Sequence, residues 1–138
     1  MANILIVDDD LFISRLVKIK VEQLGHAVEL AGDGEDGLRK AASFHPDLIL
    51  LDLMMPRMNG LEMCRKLRQI ADCRDTPVVM LTAKANERDI EAGFAAGATD
   101  YLVKPFSPRE LQARLRSLLS RSEATPDVEM SESWVAHP

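Results

Sequence analysis

Four short apolar runs in this sequence each end on a residue that can do chemistry. Asn3–Val7 gives way to Asp8, Asp9 and Asp10, Leu48–Leu51 ends on Asp52, Pro77–Leu81 ends on Thr82, and Asp100–Val103 ends on Lys104. Adjacent carboxylates repel one another, so an acidic triplet directly after a buried run is either a helix-capping turn or a cation site, and capping accounts for one of the three. Asp52 taken alone reads equally well as a helix N-cap or an ordinary loop aspartate. Gathered at one place, the set is short of positive charge, and a hard divalent cation with oxygen ligands corrects that; Mg²⁺ suits one or two carboxylates, waters and phosphoryl oxygens. With Asp8 and Asp9 holding the cation, Asp52 is left as a nucleophile toward phosphorus that forms an acyl phosphate. Such transfer depends on positioning and charge neutralisation: Lys104 supplies a point charge to the phosphoryl oxygens and Thr82 a hydroxyl donor.

The elements needed to gather them are legible. Leu48-Ile49-Leu50-Leu51, bounded by Pro46 and by Pro56 and Gly60, is too short for a typical helix and reads as a strand buried on both faces of a parallel sheet. Helices are predicted between the strands. The first carries Ile13, Leu16, Val17, Val21 and Leu24 as its apolar face and ends at Gly25; the second, over residues 35–44, buries Leu38, Ala41 and Ala42. A third over 61–71 buries Leu61, Cys64, Leu67 and Ile70, and a fourth over 87–96 is poor in large apolar residues and anchored by Ile90 and Phe94. So little buried area suits equally an element that shifts and an ordinary exposed helix. The last helix, with Ser107 as N-cap and Pro108 in its first turn, buries Leu111, Leu115 and Leu118 and stops near Arg121. His26–Leu30 is a weaker strand, suited to a sheet edge. Five β-α repeats predict an α/β fold, a doubly wound five-stranded parallel sheet in the flavodoxin-like order 2-1-3-4-5. In that order the first and third strands are neighbours, which sets Asp8 and Asp9 beside Asp52 at the carboxyl edge.

Bulk properties agree with one domain in 138 residues. Residues 1–121 hold all 17 Lys and Arg and 18 Asp and Glu, a net of −1, whereas residues 122–138 hold four acids and no Lys or Arg. The first stretch is the folded domain; the second reads as an acidic, disordered tail containing the sole tryptophan, Trp134. No basic cluster suggests a nucleic-acid surface, and no apolar run approaches the about 20 residues of a membrane span. A cytoplasmic location is expected. Cys64 and Cys73 lack C-x-x-C spacing and read as small core residues.

With these residues in view, the sequence resembles the receiver domain of bacterial two-component response regulators, the CheY-like superfamily, over roughly residues 2–121. The matching features are the acidic pair after Ile-Leu-Ile-Val, Asp52 within Pro-Asp-Leu-Ile-Leu-Leu-Asp-Leu-Met-Met-Pro, Gly60, Thr82-Ala83, Tyr101 and Lys104-Pro105-Phe106. The resemblance implies phosphorylation of Asp52 by a sensor histidine kinase or a phosphotransfer protein, and Mg²⁺ on Asp8, Asp9, Asp52 and the backbone carbonyl of Met54. It also implies a cis bond before Pro105. It further implies a switch in which Thr82 moves toward the phosphate and Tyr101 turns inward, reshaping the surface of the fourth helix, fifth strand and fifth helix, which controls a downstream protein target.

Two departures from the family pattern matter. Met54 and Lys84, each two residues beyond Asp52 and Thr82, flank the site, and Met54 cannot orient an attacking water as an amide or acid could; slow self-dephosphorylation is expected. The run after Lys104 resembles a subfamily that dimerises through intermolecular ion pairs. Asp100 and Arg114 match one pair, but Ile90 stands where a basic partner of Glu110 would be and Thr99 replaces an acid, so a phosphorylation-dependent homodimer rests on one exposed pair. The main expectation is a phosphorylation switch acting by protein contact; the alternative is the receiver half of a DNA-binding response regulator. A turnover enzyme such as an aspartate-dependent phosphatase would need an acid where Met54 stands.

Overall fold

The inner strands of this chain alternate their side chains between two apolar layers, which is why they read as unbroken apolar runs. The computed structural model describes residues 1–83 and 86–123, the last three by backbone alone. The strands are β1 (Asn3–Val7), β2 (Ala27–Ala31), β3 (Leu48–Asp52), β4 (Val78–Thr82) and β5 (Asp100–Val103), all parallel in the order β2-β1-β3-β4-β5. They alternate with helices α1 (Leu11–Gln23), α2 (Gly34–Phe44), α3 (Gly60–Leu67), α4 (Glu87–Ala95) and α5 (Pro108–Glu123). This is the expected doubly wound fold.

On one face Ile4, Ile6, Leu48, Leu50, Val79, Leu81 and Leu102 pack with Val17 and Val21 of α1 and with Leu111, Leu115 and Leu118 of α5. On the other, Leu5, Val7, Ile49, Leu51, Val78, Met80 and Tyr101 meet Ala41, Met63, Cys64 and Leu67 from α2 and α3. The helices begin with side-chain caps: Asp10 accepts from the amides of Phe12 and Ile13, Asp33 from Asp36, Asn59 from Glu62 and Asn86 from Asp89. Asp10 is therefore the member of the acidic triplet consumed by capping, and it leaves Asp8 and Asp9 for other work.

Several details differ from the sequence reading. In α1 the buried face is Ser14, Val17 and Val21, at i, i+3 and i+7, while Leu16 is exposed. In α2 Gly37 and Ala41 face inward and Ala42 faces solvent. The third helix ends at Leu67 rather than at residue 71: Arg68 caps it with its backbone still helical, Ile70 is extended, and a 3-10 turn, Ala71–Cys73, follows. Phe94 is exposed instead of anchoring α4, whose buried residue is Gly93. The expected acidic tail with Trp134, and Lys84, lie outside the described residues.

Candidate functional site

Parallel pairing decides which strand ends meet. Val7 pairs with Leu51, so Asp8 follows β1 next to Asp52; Asp52 pairs with Leu81, and Thr82 pairs with Val103, so Lys104 follows β5 on the same edge. The residues expected to act together, Asp8, Asp9, Asp52, Thr82 and Lys104, stand on one rim of the sheet. Asp8, Asp52 and Thr82 are buried, while Asp9 is exposed. The backbone holds the rim tightly: Lys104 N–H donates to the Thr82 carbonyl at 2.8 Å, Leu53 N–H to Leu81 at 3.0 Å, and Gly60 N–H to Leu53 at 2.9 Å. Gly60 is required there, because a Cβ would sit 2.6 Å from the Asp52 carbonyl oxygen and 2.9 Å from Leu53 Cα. No side chain fits between the start of α3 and the end of β3.

One ammonium serves two of the carboxylates. Lys104 Nζ lies 3.2 Å from Asp8 Oδ2 and 3.2 Å from Asp52 Oδ1. Asp8 uses its other oxygen to accept from Asp10 N–H at 2.9 Å. Burial, reinforced by the negative charge of Asp8 and opposed by Lys104, pushes the Asp52 carboxyl up to about 6. Burial alone would lower the Lys104 ammonium, but Asp52 and Asp8 outweigh it and its pKa is raised. The cluster thus carries more negative charge than one lysine neutralises. One carboxylate oxygen each from Asp8, Asp9 and Asp52 lie within 4.8 Å of one another. Three hard oxygen donors at that spacing, with two of them buried and one open to solvent, fit a divalent cation.

Met54 has an exposed side chain directly beyond the rim. Tyr101 lies away from the acids, its ring buried and its hydroxyl donating to the Asp89 carbonyl in α4 at 2.8 Å. The peptide bond before Pro105 is cis. Asp100 and Arg114 pair within the chain, Nε to Oδ2 at 3.5 Å.

The model of the response regulator receiver domain matches residues 4–116. The chain belongs to that family. This receiver is 48% identical over 129 residues to the alkaline phosphatase synthesis transcriptional regulatory protein PhoP of Bacillus subtilis, an alignment covering 93% of the chain and 53% of the relative. It is 47% identical over 128 residues to the DNA-binding dual master transcriptional regulator RpaA of Synechocystis, with the same coverage of each. The chain spans about half the length of these curated relatives. Among solved structures, the chemotaxis protein CheY4 of Vibrio cholerae superposes with a TM-score of 0.83 at 37% identity, covering 86% of this chain and 98% of that one. The receiver domain of a Pseudomonas aeruginosa sensor histidine kinase, solved with a magnesium ion coordinated in its active-site cleft, gives 0.81 at 34%, with the same coverage. The receiver is a signalling domain of two-component response regulators.

Sequence reasoning missed Arg68. Its guanidinium donates to the carbonyls of Gly97, Cys73 and Thr76 at 2.6 to 3.1 Å, tying the end of α3 to the loops before β4 and β5. No local signal marks it, since a basic residue at a helix end is usually solvated.

Proposed function

We propose that Asp52 is the phosphoacceptor of this receiver, and the observation that carries the reading is the shared Lys104 ammonium between Asp52 and Asp8. An Asp52 carboxylate oxygen attacks the phosphorus of a phosphohistidine; an O–P bond forms, the N–P bond breaks, and the electron pair leaves with the imidazole nitrogen. Lys104 meets the incoming phosphoryl oxygens, and the Thr82 hydroxyl donates to one of them once the group is attached. Asp8, Asp9, Asp52 and the Met54 carbonyl would hold Mg²⁺, which when bound neutralises the crowded phosphoryl and carboxylate charge. The receiver thereby promotes its own phosphorylation and dephosphorylation.

The phosphodonor is a sensor histidine kinase or a phosphotransfer protein. Leu11, Phe12, Leu16 and Ile19 of α1 are exposed apolar residues that begin directly after the acidic turn, and a protein donor presenting a histidine to Asp52 passes over them. The phosphorylated receiver acts from the cytoplasm on a downstream protein through α4, β5 and α5, with Thr82 and Tyr101 as the switch. Among the described residues no helix is long and apolar enough to cross a membrane. Transfer of label from a phosphorylated histidine kinase to the wild-type receiver and not to Asp52→Asn tests the assignment; label persisting on the Asn protein overturns it.

A second reading, the receiver half of a DNA-binding regulator, is supported by the names of the two relatives above, each about twice as long as the matched stretch. A phosphorylation-dependent homodimer through α4, β5 and α5 is the accompanying proposal. Asp100 and Arg114 would then exchange their partner within the chain for the same pair across the interface. Size-exclusion with light scattering, with and without beryllofluoride, checks it: monomers in both states reject the dimer.

A further inference from the structure

Little apolar area holds α4, yet polar contacts tie it down at both ends. Gly93 is its one buried residue, and the helix has only nine residues in all. At its start, Asp89 presents a carbonyl with a second lone pair, and the Tyr101 hydroxyl donates to it at 2.8 Å. Beyond its end, the Gly97 carbonyl accepts from Arg68 Nε at 3.1 Å and from a terminal guanidinium nitrogen at 2.6 Å. Between the two, the Tyr101 ring runs beneath the helix at Gly93. A Cβ on Gly93 would meet Tyr101 Cζ at 2.5 Å and Cε2 at 2.9 Å, with the hydroxyl closer still. Such overlap is incompatible with the ring where it lies.

We propose that Gly93 is the positioning residue of α4: its missing side chain opens the slot through which Tyr101 reaches and holds the first turn, while Arg68 independently holds the loop after the last. Of the groups in conflict over a methyl at position 93, the ring is the softest. Tyr101 backbone is fixed by pairing with Met80 in β4, and the helix end is fixed by Arg68. The ring therefore leaves the slot, turning about its own side-chain torsions, and the first turn of α4 loses a donor without any change at Gly97. The two clamps come from opposite neighbours, β5 and α3, so α4 has one releasable end and one fixed end. Phe94, whose ring meets Tyr101 edge-on at 5.4 Å between centroids, loses that contact at the same time.

This deepens the proposed function by naming what sets the position of the output helix, and its test uses the unphosphorylated protein with no kinase. Failure here is thereby distinct from failure of the Asp52 assignment. Tyr101 is the only tyrosine in the chain, so an absorbance titration of tyrosinate reads one group. Its hydroxyl is held above the usual value of 10.0 by burial and by the charges of Asp89 and Cys64, against the smaller lowering effect of the Gly93 backbone. In Gly93→Ala the titration should fall to the ordinary tyrosine range, and amides in the first turn of α4 should exchange about five- to tenfold faster, the loss of one hydrogen bond. Arg68→Met should do the converse, speeding exchange at residues 97–99 with the Tyr101 titration unchanged. Tyr101→Phe retains Gly93 and the ring, and must loosen the first turn alone. A Gly93→Ala protein whose tyrosine titrates as in wild type overturns the proposal. So does a Tyr101→Phe protein with unaltered α4 protection, which keeps the proposal testable should the alanine variant not fold.

Discussion

Lys104 Nζ stands equidistant, at 3.2 Å, from one oxygen of Asp8 and one of Asp52. Burial and the charge of Asp8, which that single cation only partly offsets, leave Asp52 easier to protonate than a free aspartate, with its carboxyl at about 6 instead of 3.8. A folded-state pKa above the unfolded one contributes stability that is fully present below about 4 and is lost as pH rises through about 6. In the absence of divalent cations, the stability of wild type relative to Asp52→Asn should therefore fall across that window by up to about 3 kcal/mol. Denaturant titrations of both proteins in chelator, at steps of pH, check this; parallel curves would mean that Asp52 is not strained by its neighbours.

Divalent cation should reverse that loss. Mg²⁺ at a hundred times its dissociation constant stabilises by about 2.7 kcal/mol if it binds only the folded chain. Asp9 is exposed and forms none of the Lys104 contacts, so Asp9→Asn should leave the metal-free midpoint in place and diminish the magnesium-induced rise in melting temperature. An equal rise in both proteins would remove Asp9 from the ligand set.

The apolar stripe on α1 separates two kinds of phosphodonor. Phe12→Ser combined with Leu16→Ser should slow transfer from a phosphorylated histidine kinase by about tenfold, the usual cost of losing a buried interface anchor. Phosphorylation by acetyl phosphate, which needs no protein surface, should be unaffected. Equal slowing with both donors would place the defect in the site itself.

Met54 makes a prediction about lifetime. Its exposed side chain, two residues beyond Asp52 in the sequence, offers a water no strong acceptor. Replacing it with Glu or Asn should shorten the aspartyl-phosphate half-life several-fold, as measured by loss of label after kinase removal. A wild-type half-life of only seconds without added phosphatase would refute slow self-dephosphorylation.

Most of the site was legible because every contributing residue terminates an apolar run, and parallel pairing brings such termini to one rim. Asp8, Asp9, Asp52, Thr82 and Lys104 needed only strand order to be assembled. What escaped depended on contacts between layers. Leu16 and Val17 both satisfy helical spacing, and nothing local says that Ser14 is buried while Leu16 faces outward. Arg68 resembles a solvated helix-end residue until the carbonyls of Cys73 and Thr76 in the next loop and of the distant Gly97 are seen around it. The sequence shows α4 only as poor in large apolar residues, whereas the ring of Tyr101 fills the space that a side chain at Gly93 would take.

The sheet order also ties signalling to the history of each molecule. β1 is made first but lies inside the sheet, and its Asp8 meets Lys104 only after 96 further residues. At the usual pace of synthesis that interval is about 5 to 20 seconds. Contacts so remote in sequence form late and are lost together when the far strand detaches. A nascent or partly unfolded receiver therefore holds its acids without their lysine, and under the proposed role of Asp52 it would gain a competent acceptor only once β5 has docked.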